Sequence, residues 1–508
     1  MLESFDLLIG GFATALTLKN LAYCLAGAVV GTLVGILPGL GPIAGIALLI
    51  PATFGLDATA ALIMLAGIYY GAMYGGSTTS ILINVPGETA SVITCLDGYK
   101  MAQQGRAGPA LAIAALGSFV AGTLAIFGLV LIAPPLARAA LAFGPAELAA
   151  LMIFAFVVLS NVTGGSLTKA LMMVVVGLIL GTIGLDPVTG DARFTFGTAY
   201  LLGAIEFVAV AIGVFGLGEI LVNAAKPVAQ LEARVTVPRL RDLFPSREDL
   251  RRSVGAILRG TGIGFFTGLI PGPAPVIATY ASYTVEKKVS KHPEQFGQGA
   301  IEGVAGPESA NNAATQSAFI PLFVIGIPFG PVPAILLGAL LIHGVTPGPL
   351  LISEKPELFW AVVASMYIGN FILLLLNLPF VPLFANMLRV PKKVLLPLVM
   401  LFCVTGMYSV NNSVLDIWMM LGFGVLGYLL RGWAYEGAPL LLGLVLGPKL
   451  EVAFRQSLMI SRGDFGIFIE RPVSATLLAA SAAALLWPLV KLLRRKKADA
   501  TPGPAARA

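Results

Sequence analysis

Two stretches of this chain concentrate groups able to hold an organic anion or a small cation. The first, "YGGSTTSILINVPGE" (74–88), carries Ser77, Thr78, Thr79 and Ser80 as a hydroxyl run, then Asn84, Pro86 and Gly87. The second, "GPESANNAATQSAFIPLFVIGIPFG" (306–330), carries Glu308, Ser309, Asn311, Asn312, Thr315, Gln316 and Ser317, then Pro328. Hydroxyls and amides donate to a carboxylate without adding a permanent charge, and their oxygens can also face a cation. The candidate substrate-binding residues are therefore Ser77, Thr78, Thr79, Ser80, Asn84, Asn311, Asn312, Thr315 and Gln316. Ser77, Thr79, Asn311 and Asn312 are candidate neighbours of Na+. Glu308 is the candidate for ion coupling, because an acid inside a membrane is costly and tends to be functional. The competing reading of any single hydroxyl is close helix packing. Glu88 and Asp97 read equally well as members of a hydrated loop.

The elements that must position these groups are membrane helices. Of 508 residues, 57% are hydrophobic and 11% charged, and the mean hydropathy is +0.90. Average soluble domains carry roughly 25% charged residues. Apolar runs recur from end to end, so the expected fold is an all-α polytopic membrane protein with about 12–14 transmembrane or partial helices. The chain also repeats. "GTLVGILPGLGP" (31–42) and "GFFTGLIPGPAP" (264–275) share two glycines, a Pro-Gly pair and a final proline at matching offsets. Duplicated halves with Gly/Pro-interrupted apolar segments mark many secondary transporters. This predicts a membrane half at 1–225, a polar cytoplasmic linker at 226–252, a second half at 253–493 and a basic tail at 494–508. By transporter analogy the halves are expected to be inverted. Pro38, Gly39, Pro86, Gly87, Pro271, Gly272 and Pro328 are the expected helix-break residues, since proline lacks an N–H and glycine lets the chain turn or approach closely.

Charge and composition exclude other classes. The net charge of +6 resides largely in the linker and tail, a topology signal under the positive-inside rule. No basic face for nucleic acid stands apart from them. "MLESFDLLIGG" lacks the basic start of a cleaved signal peptide. Cys24, Cys95 and Cys403 have no ligand spacing and read as inert thiols; His292 and His343 cannot build a histidine metal site alone. No cofactor is expected beyond a coupling ion, Na+ or H+. No nucleophile–base pairing supports an intramembrane enzyme, which stays a minor alternative, as does a carboxylate or small-solute channel. Nothing in the sequence fixes the oligomeric state.

"GTLVGILPGLGPIAGIALLIP", "YYGAMYGGSTTSILINVPGETASVITCLDGYKMAQQGRAG", "LDPVTGDARFTFG", the run from "RGTGIGFFTGLIPGPAP" to "GPESANNAATQSAFIPLFVIGIP", and "LGPKLEVAFRQSLMISRGD" together resemble the large membrane subunit of the tripartite tricarboxylate transporter family. The resemblance covers nearly the whole chain. It implies a bacterial inner-membrane permease working with a small membrane subunit and a periplasmic substrate-binding protein. It further implies ion-gradient-driven uptake of citrate-like or other carboxylates by alternating access, without an ATPase. The absence of a P-loop motif agrees.

Overall fold

The structure is a computed structural model that describes residues 2–37, 41–162, 166–225, 240–380, 383 and 392–499. It is all-α apart from a two-stranded antiparallel ribbon, Gly184–Leu185 with Ala192–Arg193. Among the described residues, seven helices are long and apolar enough to cross a membrane, and six shorter apolar helices accompany them.

In chain order the first helices are α1 (Leu2–Ala15), α2 (Leu18–Ile36), α3 (Gly41–Leu49), α4 (Ala58–Ile83), α5 (Thr94–Gln103), α6 (Ala107–Ala140), α7 (Pro145–Val162) and α8 (Leu167–Gly181). After the ribbon come α9 (Phe207–Ala211), a π-helical turn at Ile212–Leu217 and α10 (Gly218–Ala225). Next are α11 (Arg247–Gly268), α12 (Ala274–Val289), α13 (Glu302–Ser317), α14 (Pro331–Ile342), α15 (Leu351–Glu354) and α16 (Pro356–Asn377). Helices Lys392–Asn411, Val414–Gly432, Gly437–Ile460 and Pro472–Asp499 complete the chain. Local chemistry sets several starts. Asp57 caps α4 by accepting from the Ala60 N–H, and Ser246 with Asp249 forms a capping box for α11. Arg247 to Arg252, expected within the polar linker, are the first turns of α11.

Glycine ladders decide the packing. A Cβ on Gly27, Gly31 or Gly35 of α2 would lie 2.3, 2.6 or 2.2 Å from the carbonyl oxygen of Met64, Ile68 or Ala72 on α4. On α11, a Cβ on Gly260, Gly264 or Gly268 would lie 2.3, 2.2 or 2.6 Å from that of Gly306, Ala310 or Ala314 on α13. Without side chains at these positions the backbones touch, the kind of contact that drives helix association where lipid offers no hydrophobic contrast.

Ion pairs fix the far ends of the helices. Lys19, at the start of α2, meets Asp57 at 2.5 Å, so α2 and α3 leave from and return to one region. Arg252, in α11, meets Glu302 at 2.8 Å after α12, closing a second hairpin. The start of α6 is tied to the second hairpin by Arg106–Asp249 at 2.5 Å. Its 34 residues span on the order of 50 Å. At its far end, residues 140–143 face Pro347–Leu350 across a cavity. Four residues before that segment, His343 lies 2.8 Å from Thr53, which follows α3. The two hairpins therefore begin at opposite ends of α6. A separate cluster ties the loop after α8 to helix Gly437–Ile460: Arg193 meets Glu451 at 2.7 Å and Arg455 meets Asp186 at 3.0 Å. Glu451 and Arg455, four residues apart on that helix, also pair at 2.9 Å.

The hydroxyl-rich runs are themselves unbroken: α4 is continuous through Ser77–Ser80, and α13 through Ser309–Ser317 with Pro307 inside it. Thr79, Ser80 and Thr315 return their hydroxyls to carbonyls three or four residues back, which keeps these side chains compatible with a helix in an apolar surrounding. The breaks follow the runs.

Candidate functional site

α4 ends at Asn84, whose φ is 57°, and the chain then extends through Pro86 and Gly87 to Glu88. The segment after α13 ends in the same manner: Gly326 has φ 78°, and Pro328 follows two residues later, as Pro86 follows Asn84. Gly87 is held tightly, since a Cβ there would lie 2.0 Å from the Gly35 carbonyl oxygen. The Gly272 N–H donates to the Phe329 carbonyl at 2.6 Å, joining the second Pro-Gly break to the segment before α14.

These breaks meet around a cavity of about 340 Å³. Its wall includes Gly41–Ala44, Pro86–Ala90, Gly272–Val276 and Phe329–Pro333, with Tyr69, Met73, Phe215 and Arg431. The first turns of α3, α12 and α14 all face it. Helix starts carry partial positive charge and attract anions. Arg431, in the last turn of Val414–Gly432, is the one basic side chain among the described residues of the wall, and it pairs with Glu219 of α10. Sequence reasoning missed Arg431. The available signal was a charge closing an apolar helix, with an acid on a second apolar helix able to pair with it.

Behind the cavity, α4 and α13 press a polar network together. Glu308 is fully buried; it accepts from Ser77 Oγ at 2.5 Å and from Thr94 Oγ1. Asn312 donates to Ser118 Oγ at 2.7 Å, and Asn311 to Glu88 Oε1 at 3.3 Å. Five buried side-chain atoms on α13 have no hydrogen-bond partner among the described residues: Ser309 Oγ, Asn311 Oδ1, Asn312 Oδ1 and both amide atoms of Gln316. The structure thus joins Ser77 to Glu308 and gathers Asn311 and Asn312 beside them. Thr78, Thr79, Ser80 and Thr315 are buried on the same two helices. Asn84 is exposed and apart from the network. None of the nine candidate substrate residues lines the cavity, whereas Pro86, Gly87 and Gly272 do. Pro271 and Pro328 each precede a lining residue. Pro38 and Gly39 lie outside the described residues. Thr94 and Ser118 were not anticipated, because nothing in their flanking sequence marks them.

The acids separate by role. Glu88 and Asp97, read as possible loop residues, are both buried. Asp97 Oδ1 accepts from the N–H groups of Gly297, Gly299 and Ala300 at 2.7–2.8 Å, and Oδ2 accepts from Tyr283 at 2.9 Å. It is a clamp between α5 and the turn after α12. In the loop after α8, the Thr189 and Val188 N–H groups, then Arg455, hold the Asp186 carboxyl below its usual range. No cluster of three His, Cys, Asp or Glu able to hold a metal exists among the described residues.

Comparison with known proteins agrees with the architecture. A sequence model of the "Tripartite tricarboxylate transporter TctA family" matches residues 21–442. The chain is 50% identical over 497 residues to an "Uncharacterized 52.8 kDa protein in TAR-I ttuC' 3'region" of Agrobacterium vitis, covering 98% of each chain. It is 48% identical over 234 residues to an "Uncharacterized protein in TAR-II ttuC' 3'region" of the same organism, covering 46% of this chain and 97% of the other. No solved structure matches. The chain belongs to the tripartite tricarboxylate transporter TctA family: it is a multi-pass permease of the bacterial inner membrane, not an enzyme, and works with a small membrane subunit and a periplasmic binding protein.

Proposed function

We propose that the chain imports tricarboxylates or related organic acid anions, driven by a Na+ or H+ gradient and working by alternating access. The observation that carries this reading is the cavity where three helix starts and Arg431 face one space. Its size falls within the range of roughly 300–1,000 Å³ typical of small-molecule sites. In this reading the carboxylates lie against the starts of α3, α12 and α14, with Arg431 turning from Glu219 to the anion. The network of Ser77, Asn311, Asn312 and Glu308 stands behind the wall and serves ion coupling, while Thr79 and Thr315 keep their helices continuous.

We read the chain as two inverted halves, 1–225 and 253–493, with about 12–14 crossing or partial helices. The linker 226–252 and tail 494–508 face the cytoplasm in this reading. Three features support it: the two glycine ladders, the matched Asn84–Pro86 and Gly326–Pro328 breaks, and hairpins that start at opposite ends of α6. Inverted repeats that place broken helices at the bilayer midplane suit alternating access.

The test is uptake of labelled citrate, and of a panel of other carboxylates, into proteoliposomes holding this chain, its small membrane subunit and its binding protein. Na+ and proton gradients are imposed separately, without ATP. Gradient-dependent accumulation supports the importer. Equilibration without accumulation, or conductance, would replace it with a channel.

A further inference from the structure

We infer that Glu88 takes up the coupling cation, a single positive charge bound at its carboxylate in the cavity wall. The inference rests on reading this cavity as the anion site. Glu88 lines the cavity and is buried. Its Oε2 accepts from the Ala90 N–H at 2.5 Å, which fixes the carboxylate at the cap of the short turn Thr89–Val92. Its Oε1 receives a long contact of 3.3 Å from Asn311 Nδ2. The other end of that same buried amide, Asn311 Oδ1, has no partner among the described residues. No basic side chain pairs with Glu88 among the described residues, and Arg431 is engaged by Glu219.

The charged and titratable groups around Glu88 come from several elements. They are Tyr69 on α4, Cys95 on α5, Glu308 on α13 and Arg431 across the cavity. The residues of α12 that line the cavity, Ala274 to Val276, are not titratable. The near wall therefore holds one acid, Glu88, with Glu308 behind it, and among the described residues no basic side chain pairs with either. An organic anion entering the cavity meets an ionised Glu88 at close range, and like charges disfavour each other in a site shielded from water. One proton or one Na+ on Glu88 removes that repulsion. For Na+, turning the Asn311 amide over would bring Oδ1 to Glu88 as a second oxygen ligand. Anion and cation then favour each other's binding, and by linkage the favour is mutual. Glu308, held by Ser77 and Thr94, is the second acid behind this position.

The experiment uses the purified complex of this chain with its small membrane subunit, with no organic anion present, so it does not depend on the substrate. Thermal unfolding is followed as NaCl replaces KCl at constant ionic strength, and separately as pH is varied without Na+. Binding to the folded state alone raises stability with cation concentration. The expected result is a Na+-specific rise, or a pH slope that differs by one proton between wild type and Glu88→Gln. Glu88→Gln abolishes the rise, and Glu88→Asp retains it. Gln keeps an acceptor for the Ala90 N–H, so the variant preserves the turn. The inference is overturned if Glu88→Gln keeps the wild-type cation response, or if wild type shows neither response. The cavity reading fails separately: unchanged uptake in Arg431→Ala and in the cavity-filling Val332→Trp would remove the anion site and leave the cation result standing.

Discussion

Asp97→Ala should unfasten the turn after α12 from α5. Asp97 is fully buried and accepts four hydrogen bonds, three from backbone N–H groups of 297–300 and one from Tyr283. Alanine leaves all four donors without an acceptor. A hydrogen bond to a charged group contributes ~1.5–3 kcal/mol, and a stranded buried donor costs a similar amount. Relaxation of the turn and entry of water recover part of the loss, so we expect about 4 kcal/mol, near the upper end for a single substitution. Asp97→Asn gives an internal control. Its carbonyl oxygen can still accept from the three N–H groups, and its amide can donate to Tyr283, so about 1–2 kcal/mol is expected. Gly303→Ala attacks the same contact from the other side, since a Cβ there would lie 2.3 Å from Asp97 Oδ2. The assay is unfolding of the detergent-purified protein by heat or denaturant. Expected stability runs wild type, then Asn, then Ala. An Ala variant as stable as wild type, or an Asn variant as damaged as Ala, would refute the argument that these donors depend on one carboxylate.

Gly31→Ala and Gly264→Ala each push a methyl to 2.6 or 2.2 Å from a facing carbonyl oxygen; overpacking of this kind costs ~1–3 kcal/mol, read as a lower unfolding midpoint in either half. Arg431→Ala should weaken anion uptake by roughly 10- to 100-fold in KM, the loss of one charge-assisted hydrogen bond, with Arg431→Lys intermediate; an unchanged KM would take Arg431 out of the anion site. Glu308→Gln should leave insertion normal and reduce gradient-driven uptake, and full uptake would remove Glu308 from coupling. The Asp186 carboxyl is held below its usual range in the folded protein, so its stabilisation is present above the unfolded-state value and is lost as pH falls through the lowered folded value. The stability gap between wild type and Asp186→Asn should accordingly be largest near neutrality and close in acid; a gap that widens in acid would contradict the sign.

The sequence alone determined the class of this protein. Long apolar runs can satisfy their backbone only as helices in a bilayer, so hydropathy fixed an all-α membrane chain. The Pro271-Gly272 motif marked the break between α11 and α12, because proline and glycine disrupt a helix through their own covalent structure rather than through distant contacts; its counterpart Pro38-Gly39 lies outside the described residues. The polar runs of α4 and α13 were legible as two candidate segments; that they stand behind the cavity wall rather than in it was not. Side chains three or four apart share a helix face, but which face meets the cavity depends on how α2 and α11 dock, and carbonyl-to-glycine contacts set that. Asn84 shows the limit: a polar side chain beside a break can equally turn outward and take the left-handed cap, as it does. Asp97 and Glu88 looked alike in one polar segment. Tertiary structure alone separated them, because one meets three N–H donors from a turn two hundred residues away while the other meets a cavity and an amide. Arg431 became visible only when a late helix packed against α10 and brought its charge to the same space.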